Sequence, residues 1–438
     1  MSRAAVLCGL GGALPERAVS NEELAEQLDT SDRWIRTRTG IGRRHVVAPG
    51  EATSDLAVAA GRDALASARR GDVDLVVLAT STPDRPCPAT APDVAHRLGL
   101  GTVPAFDVSA VCTGFVYALA AASSMITAGV AERALVIGAD TFSTILDPAD
   151  RTTRAIFGDG AGAVVLRAGE ADEPGALLGF DLGSDGSGGD LITVRAGGSR
   201  QRSAPEPPGA GDHFFTMDGR PVFTQAVLNM SRSSGTLLDR IGWTPAEVDK
   251  VVAHQANIRI LNAVGEQLGL EEKQIVANLD RVGNTVAASI PLALRDAAAD
   301  GDLQPGHRVL LTGFGGGLTW GSAALVWPAL EPTDLTENTE NTENEQREET
   351  TMSTPVIQTQ ESLKHRVSAL ISEKFGLDET ELLSGATFDE LEIDSLILVE
   401  LSLILRKEMD IVLQEGELKS AFTLDEAVAV IRAKADRA

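Results

Sequence analysis

Three consecutive copies of Thr-Glu-Asn, Thr336-Glu-Asn-Thr-Glu-Asn-Thr-Glu-Asn344, divide this 438-residue chain into two parts that must fold separately. A polar repeat of three residues presents no apolar face at the helical or the strand period, so it has nothing to bury. More Glu and Arg follow, and residues 331–359 are expected to be a flexible, self-repelling acidic linker. Residues 1–330 are long enough for a large core, and residues 360–438 make a small domain. Met352-Ser-Thr-Pro resembles a second start, as though two reading frames had been joined, by nature or by engineering.

The linker and tail are acidic. Residues 331–438 hold 25 Asp and Glu against 10 Lys and Arg, so they carry −15 of the total charge of −25. Nucleic acid is excluded as a partner for so acidic a chain, and the tail calls for a basic docking surface. Three cysteines at irregular spacing argue for a reducing compartment. No run is apolar for long enough to span a membrane, and the N-terminal segment is broken early by glycine. The expectation is a cytoplasmic protein with no membrane partner and no metal site.

Residues 1–330 alternate apolar runs with helix-length segments rich in Ala and Leu. Strands are predicted at 74–80, 134–139, 162–167, 248–253, 308–312 and 323–327, with helices at 55–68 and 257–268. This alternation predicts an α/β architecture. Three pairs of strands match in the same order. Val73-Asp-Leu-Val-Val-Leu-Ala79 matches Val248-Asp-Lys-Val-Val-Ala-His254, and Ala134-Leu-Val-Ile-Gly138 matches Val309-Leu-Leu-Thr-Gly313. Gly160-Ala-Gly-Ala-Val-Val-Leu166 matches Gly321-Ser-Ala-Ala-Leu-Val-Trp327. Two similar halves packed about a pseudo-twofold axis are expected.

Four polar stations interrupt these apolar surroundings. Cys112 lies between a short strand ending near Ala110 and a helix of small residues that runs from Thr113 to a capping Gly129. At the start of a helix, unpaired N–H groups and the dipole favour a thiolate, so its pKa is expected to be lowered. Taken alone, it reads equally as a buried inert thiol. His254 follows a strand in His254-Gln-Ala-Asn-Ile-Arg259, a place where a histidine is ordinarily a satisfied structural residue. Asn284 lies in the turn sequence Asp280-Arg-Val-Gly-Asn-Thr285. In Phe314-Gly-Gly-Gly-Leu-Thr-Trp-Gly321 the glycines let backbone approach a ligand closely, but no Gly-Lys-Ser/Thr follows to make a phosphate loop.

In this order the four stations resemble β-ketoacyl-acyl-carrier-protein synthase III. Further matches are Asp29-Thr-Ser-Asp-Arg-Trp-Ile-Arg-Thr-Arg-Thr-Gly-Ile41, Pro104-Ala-Phe-Asp107 and Ile156-Phe-Gly-Asp-Gly-Ala-Gly162. The resemblance covers essentially all of residues 1–330. It implies a duplicated thiolase fold with five αβαβα layers, usually a homodimer. It implies Cys112 as the nucleophile that takes an acyl group from a coenzyme A or carrier thioester. His254 and Asn284 would then hold the enolate formed as a malonyl thioester loses carbon dioxide, and the N–H groups of Cys112 and Gly316 would form an oxyanion hole. By the same resemblance Trp34 and Arg151 contact the adenine of coenzyme A, Arg38 lies near the pantetheine tunnel, and Arg259 docks the carrier. Two features depart from the family. Gly265-Glu266-Gln267 stands where basic residues are common. Cys87 occupies the place of a bulky aromatic in acetyl-primed members, which implies room for a longer or branched acyl chain.

Residues 360–438 read as a helical bundle. Leu363, Val367, Leu370, Ile371 and Phe375 mark one helix, which ends at Gly376. Leu396, Val399, Leu403 and Ile404 mark a second, opening at Asp394-Ser395, and residues 425–433 mark a last one. Phe388-Asp-Glu-Leu-Glu-Ile-Asp-Ser-Leu-Ile-Leu-Val-Glu-Leu401 resembles an acyl carrier protein of four helices. This implies 4'-phosphopantetheine on Ser395, attached by a separate phosphopantetheinyl transferase. A linker of this length gives a reach of roughly 30 Å, so the carrier would serve its own or its dimer mate's active site at about millimolar effective concentration. The sequence thus predicts a condensing enzyme of fatty-acid or polyketide synthesis fused to its carrier. The alternatives are an acyltransferase on the same fold, delivering the acyl group to an alcohol, amine or carrier thiol, and an engineered enzyme–carrier complex.

Overall fold

The structure is a computed structural model that divides into two compact units, Met1–Asp334 and Leu335–Ala438. It describes residues 2–69, 71–330, 360–375, 377–391, 393, 395–409, 411–414 and 416–435, except for the side chains of residues 360–362, 395 and 396. The predicted linker, 331–359, lies outside the described residues, as do Gly376 and Asp394.

Besides two small two-stranded sheets, the described residues of the first unit hold nine strands that build its layers: β1 (Arg3–Ala13), β2 (Leu75–Ala79), β3 (Ala105–Val108), β4 (Arg133–Asp140), β5 (Gly160–Glu170), β6 (Leu177–Ser184), β7 (Lys250–Ala253), β8 (Arg308–Gly315) and β9 (Thr319–Val326). They form two sheets, ordered β1-β5-β4-β2-β3 and β6-β9-β8-β7. The six predicted strands correspond to β2, β4, β5, β7, β8 and β9. Strands β1 and β6 are glycine-interrupted and were not anticipated, nor was β3 as part of a sheet edge.

The internal repeat is real at the level of register. Leu75 pairs with Ala134 in the first half and Lys250 with Val309 in the second, both in parallel. An isolated parallel bridge from Val251 to Ile275 stands where β3 pairs with β2 through Val76 and Ala105. Even the irregularities are duplicated, since β1 is bulged between Leu7 and Gly9 and β6 between Leu177 and Gly179, at equivalent points of the ladder. One correction follows from the pairing. Gly138 faces Gly162 and Gly313 faces Gly321, so the partner of Gly321 in the repeat is Gly162, not Gly160. A slip of two residues keeps every side chain on its own face, so the alternation of residue types could not reveal it.

Five helices complete the layers: α1 (Thr53–Ser67), α2 (Gly114–Thr127), α3 (Gly219–Ile241), α4 (Ile258–Leu268) and α5 (Ser289–Ala299). Helix α1 covers the outer face of the first sheet and α3, flanked by α4, that of the second. Helices α2 and α5 lie between the sheets in one core with Val77, Phe115, Leu119, Ile290, Ala293 and Leu311. The order of layers is therefore αβαβα. Close approach in the middle layer depends on Gly138, where a Cβ would stand 2.2 Å from the Ala287 carbonyl oxygen.

Among the described residues the second unit has four helices, α6 (Gln360–Phe375), α7 (Glu379–Leu382), α8 (Ser395–Met409) and α9 (Leu424–Ala435), as the resemblance implied. Leu363, Val367, Leu382, Phe388, Leu401, Leu405, Val428 and Ile431 form its core. Among the described side chains of α8 the buried positions are Leu398, Leu401, Leu403, Ile404 and Leu405, whereas Val399, expected on the same face, is only partly buried. Among the described residues no helix is long and apolar enough to cross a membrane.

Candidate active site

Cys112 sits in a 3-10 turn, Val111–Thr113, wedged between the end of β3 and the start of α2. Val111 has φ +48°, a conformation that costs a β-branched residue on the order of 1–3 kcal/mol. The turn is held from several sides. The Thr113 N–H donates to Ala110 O (3.1 Å), the Thr113 hydroxyl to Thr319 O (3.1 Å) and the Thr319 hydroxyl to Ala110 O (3.2 Å). The backbone of β8 passes so close that a Cβ on Gly315 would lie 2.8 Å from the Cys112 nitrogen and 3.1 Å from that of Thr113.

The thiol is buried in an apolar cluster with Phe142, Leu146, Phe157, Phe215 and Val286. The three phenylalanine rings contact one another with centroids 4.7–5.1 Å apart. This corrects the expectation of a lowered thiol pKa: burial pushes Cys112 well above the ordinary value and the Asp140 charge adds to the rise. The backbone N–H at the turn acts in the opposite direction but is the smallest influence. Position at a helix start predicts the sign only where the group stays solvated.

His254 follows β7 and is anchored by its N–H to Thr312 O of β8 (2.8 Å). Its Nδ1 lies 2.7 Å from the Ser289 hydroxyl at the first residue of α5. Burial alone pushes its pKa down to about 3, so the ring is neutral at physiological pH. Asn284 follows Gly283 (φ +74°) and is locked between Ile156 and Gly158, donating to Ile156 O and accepting from the Gly158 N–H, each at 2.9 Å. Its Oδ1 accepts the Val286 N–H at 3.0 Å, which leaves the amide NH2 as the available end.

The three residues are brought together by β8 and the 284–289 segment. A Cβ at Gly313 would meet Cys112 O at 3.6 Å and the His254 Cβ at 3.7 Å, so both flank this one position. Val286, two residues after Asn284, belongs to the cluster around the Cys112 sulfur. Gly316, just after β8, packs against Ile192, and its carbonyl lies 3.2 Å from the Thr319 hydroxyl, which shares its one proton between this oxygen and Ala110 O.

Sequence reasoning missed Asp140, which ties these loops together. Its Oδ1 accepts from the N–H groups of Ser81 (2.7 Å) and Thr82 (3.1 Å), and its Oδ2 from the Ala287 N–H (3.1 Å). Desolvation raises its pKa to about 7 despite these donors. A carboxylate at the C-terminal end of a predicted inner strand was the available signal, because that end of an α/β sheet is where sites form. Ser289 and Thr319 carried no comparable signal.

The remaining predicted residues form a second group. Trp34 and Arg38 lie on the helix Asp32–Thr39, with the Arg38 and Arg151 guanidinium carbons 4.8 and 5.1 Å from the Trp34 ring centroid. Arg151 also donates to Asp29 O at 2.5 Å. Arg259 is the second residue of α4, a helix that packs against Asp32–Thr39 through Gly40 and Ile258. Cys87 is exposed and lies outside the apolar cluster around Cys112. Ser395 is the first residue of α8, and its side chain is outside the described residues.

A buried thiol, a neutral imidazole and a carboxamide carried on segments that pack about β8, in two fused βαβ-type halves, fit the class of thiolase-fold condensing enzymes. The comparisons with known proteins narrow this further. Residues 106–186 match the model for 3-oxoacyl-[acyl-carrier-protein] synthase III, residues 238–327 its C-terminal counterpart, and residues 365–431 the phosphopantetheine attachment site model. The chain is 63% identical to β-ketoacyl-[acyl-carrier-protein] synthase III 5 of Streptomyces coelicolor over 328 residues, which is 75% of this chain and 98% of that one. The solved 3-oxoacyl-(acyl carrier protein) synthase III of Pseudomonas aeruginosa matches with a TM-score of 0.71 at 56% identity, over 75% of this chain and all of the other. The priming β-ketosynthase of a polyketide biosynthetic pathway matches with a TM-score of 0.70 at 33% identity, over 76% of this chain and 98% of its own. The chain belongs to the 3-oxoacyl-(acyl-carrier-protein) synthase III family, and it joins that condensing enzyme to a carrier domain with a phosphopantetheine attachment site.

Proposed function

We propose that Cys112, His254 and Asn284 carry out acyl transfer followed by decarboxylative Claisen condensation, with the attached carrier domain supplying the extender. In the first half-reaction Cys112 Sγ attacks an acyl thioester, and the departing thiol leaves with the proton that Cys112 gives up. The tetrahedral oxyanion is stabilised by the N–H groups of Cys112 and Gly316, donors already fixed before charge develops. In the second half-reaction the malonyl carboxylate leaves as carbon dioxide, and its electron pair moves to the thioester oxygen. His254 and the Asn284 amide donate hydrogen bonds to that oxygen. The enolate carbon then attacks the acyl group on Cys112, and the cysteine departs as the leaving group and regains a proton.

The observation that carries this reading is the neutral, buried His254 flanking Gly313 together with Cys112, and Asn284, whose carbonyl end is already engaged by Val286 of the cluster around Cys112. Phosphopantetheine supplies a long arm ending in a thiol that bears the acyl or malonyl group as a thioester. Ser395 offers a hydroxyl at the first residue of a helix within the matched attachment-site region, which fits that group. Trp34, Arg38 and Arg151 form the contact surface for coenzyme A, and Arg259 the docking point for the carrier. The chain works as a homodimer, in which the carrier serves its own or the partner subunit's site. Cys87 makes the enzyme tolerant of acyl groups larger than acetyl.

Intact-protein mass spectrometry tests this directly. Incubation with acyl-coenzyme A should add one acyl group, lost in Cys112→Ser, and malonyl-loaded carrier should then release carbon dioxide. Acylation at any other residue, or acyl transfer without loss of carbon dioxide, refutes condensation at this centre. Strict preference for acetyl over medium-chain donors refutes the role given to Cys87.

A further inference from the structure

Ser289 stands at the first position of α5, almost completely buried, with its hydroxyl directed at the catalytic imidazole. Two contacts to its Oγ are described: His254 Nδ1 at 2.7 Å and the Gln255 backbone N–H at 3.4 Å. The Gln255 N–H is only a donor, so it takes up a lone pair on Oγ. The hydroxyl proton, away from water, then has one described acceptor, Nδ1 of His254. With the opposite arrangement, Nδ1–H donating to Oγ, that hydroxyl proton would be buried with no described acceptor, which is costly.

We propose that Ser289 is a positioning residue that donates to Nδ1 and thereby holds His254 as the Nε2–H tautomer. The inference rests on the reading of His254 as a donor to the enolate oxygen and deepens it. Locked in this tautomer, the ring presents a proton at Nε2 throughout the cycle. It donates to the developing oxyanion during decarboxylation and has no lone pair on that nitrogen to take the Cys112 proton. Acylation is thereby independent of His254 as a base, and the two half-reactions have separate machinery. The neighbouring residues support one orientation of the ring. The His254 N–H is fixed to Thr312 O, and the Gln255 side chain bonds to Ala253 O and Val276 O at 2.9 and 3.1 Å. Burial keeps the ring neutral, so the tautomer persists across the working pH range.

The test uses the full chain labelled with [15N]histidine, with His254→Asn to assign the signal. Two-bond proton–nitrogen correlation should show His254 Nδ1 as the unprotonated nitrogen and Nε2 as the protonated one. Ser289→Ala should shift the ring toward a mixture of tautomers. It should also lower malonyl decarboxylation about tenfold, the scale of one hydrogen bond, while leaving acylation of Cys112 unchanged. Ser289→Thr, which keeps the hydroxyl, should restore both. A protonated Nδ1 in the native chain overturns the proposal, as does a Ser289→Ala ring with unaltered tautomer and decarboxylation rate. A native chain that shows the Nε2–H tautomer but releases no carbon dioxide overturns the proposed function instead, so the two failures are distinguishable.

Discussion

Asp140 and His254 are buried ionisable groups that respond to acid in opposite directions. His254 ionises near 6.5 when unfolded and near 3 when folded, so below pH 6.5 the unfolded chain binds more protons and stability falls. Asp140 goes from 3.8 unfolded to about 7 folded, so its contribution is full below 3.8 and is lost as pH rises through 7. Between these limits the two slopes, each about 1.4 kcal/mol per pH unit, largely cancel. Removing one exposes the other. Relative to the native chain, His254→Asn should gain stability by about 1.4 kcal/mol for each unit of acidification between pH 6.5 and 4.5, read from urea unfolding of the condensing unit. Equal responses of both chains to acid would show that His254 is not buried neutral. In the same variant decarboxylation should drop by about 10²–10³, as expected when an oxyanion donor is lost, while Cys112 still acylates. At this scale Cys112 and His254 were singled out in the sequence, Asp140 was not, and the ionisation of none of the three was legible. Cys112 occupies the predicted helix start, yet its thiol is pushed up because desolvation exceeds the effect of the helix N–H groups.

Elements are joined by glycines of quite different importance, and structure separates them. Gly315 leaves room for the Cys112 turn: Gly315→Ala would place a Cβ 2.8 Å from the Cys112 nitrogen, against backbone that cannot swing away. A shift of the turn by a fraction of an ångström is expected to cut the acylation rate about 10²-fold and destabilise the unit by about 1–3 kcal/mol. Gly235, within α3, meets nothing within 4 Å and has ordinary helical backbone. Gly235→Ala should therefore stabilise the unit by about 0.5–1 kcal/mol, with acylation unchanged. A thermal shift and single-turnover acylation assay on both variants checks the contrast, and similar behaviour of the two would remove the close-approach account. In the sequence these glycines look alike, because what distinguishes them is the neighbour across the sheet. The strands were legible where the apolar run was unbroken, as in β2, β4 and β8. They were missed in β1 and β6, whose glycines read as turns until sheet pairing restrained them.

For the whole molecule the consequence of covalent joining is concentration. The Streptomyces coelicolor enzyme is matched over 98% of its own length by 75% of this chain, and the synthase III matches lie within residues 106–327, before the carrier region. If the carrier supplies its own enzyme, the fused chain at micromolar concentration should condense about 10²-fold faster than separated condensing and carrier domains at equal concentration. Equal rates would show that the joining does nothing for delivery. The sequence alone pointed to two parts of different character, the duplicated α/β plan and the helical carrier, and it singled out Cys112, His254, Asn284 and Ser395 as the candidates. The parts and the plan follow from periodicity and composition along the chain, and the four residues from the resemblance of the motifs around them to known families, all of which are read locally. Tertiary structure alone decided that Asp140, Ser289 and Thr319 serve the same centre, that the repeat is offset by two residues at Gly162, and that the thiol pKa rises. Each of these depends on which atoms meet across sheets and on how much water they exclude, quantities set by contacts between residues more than a hundred positions apart in several cases.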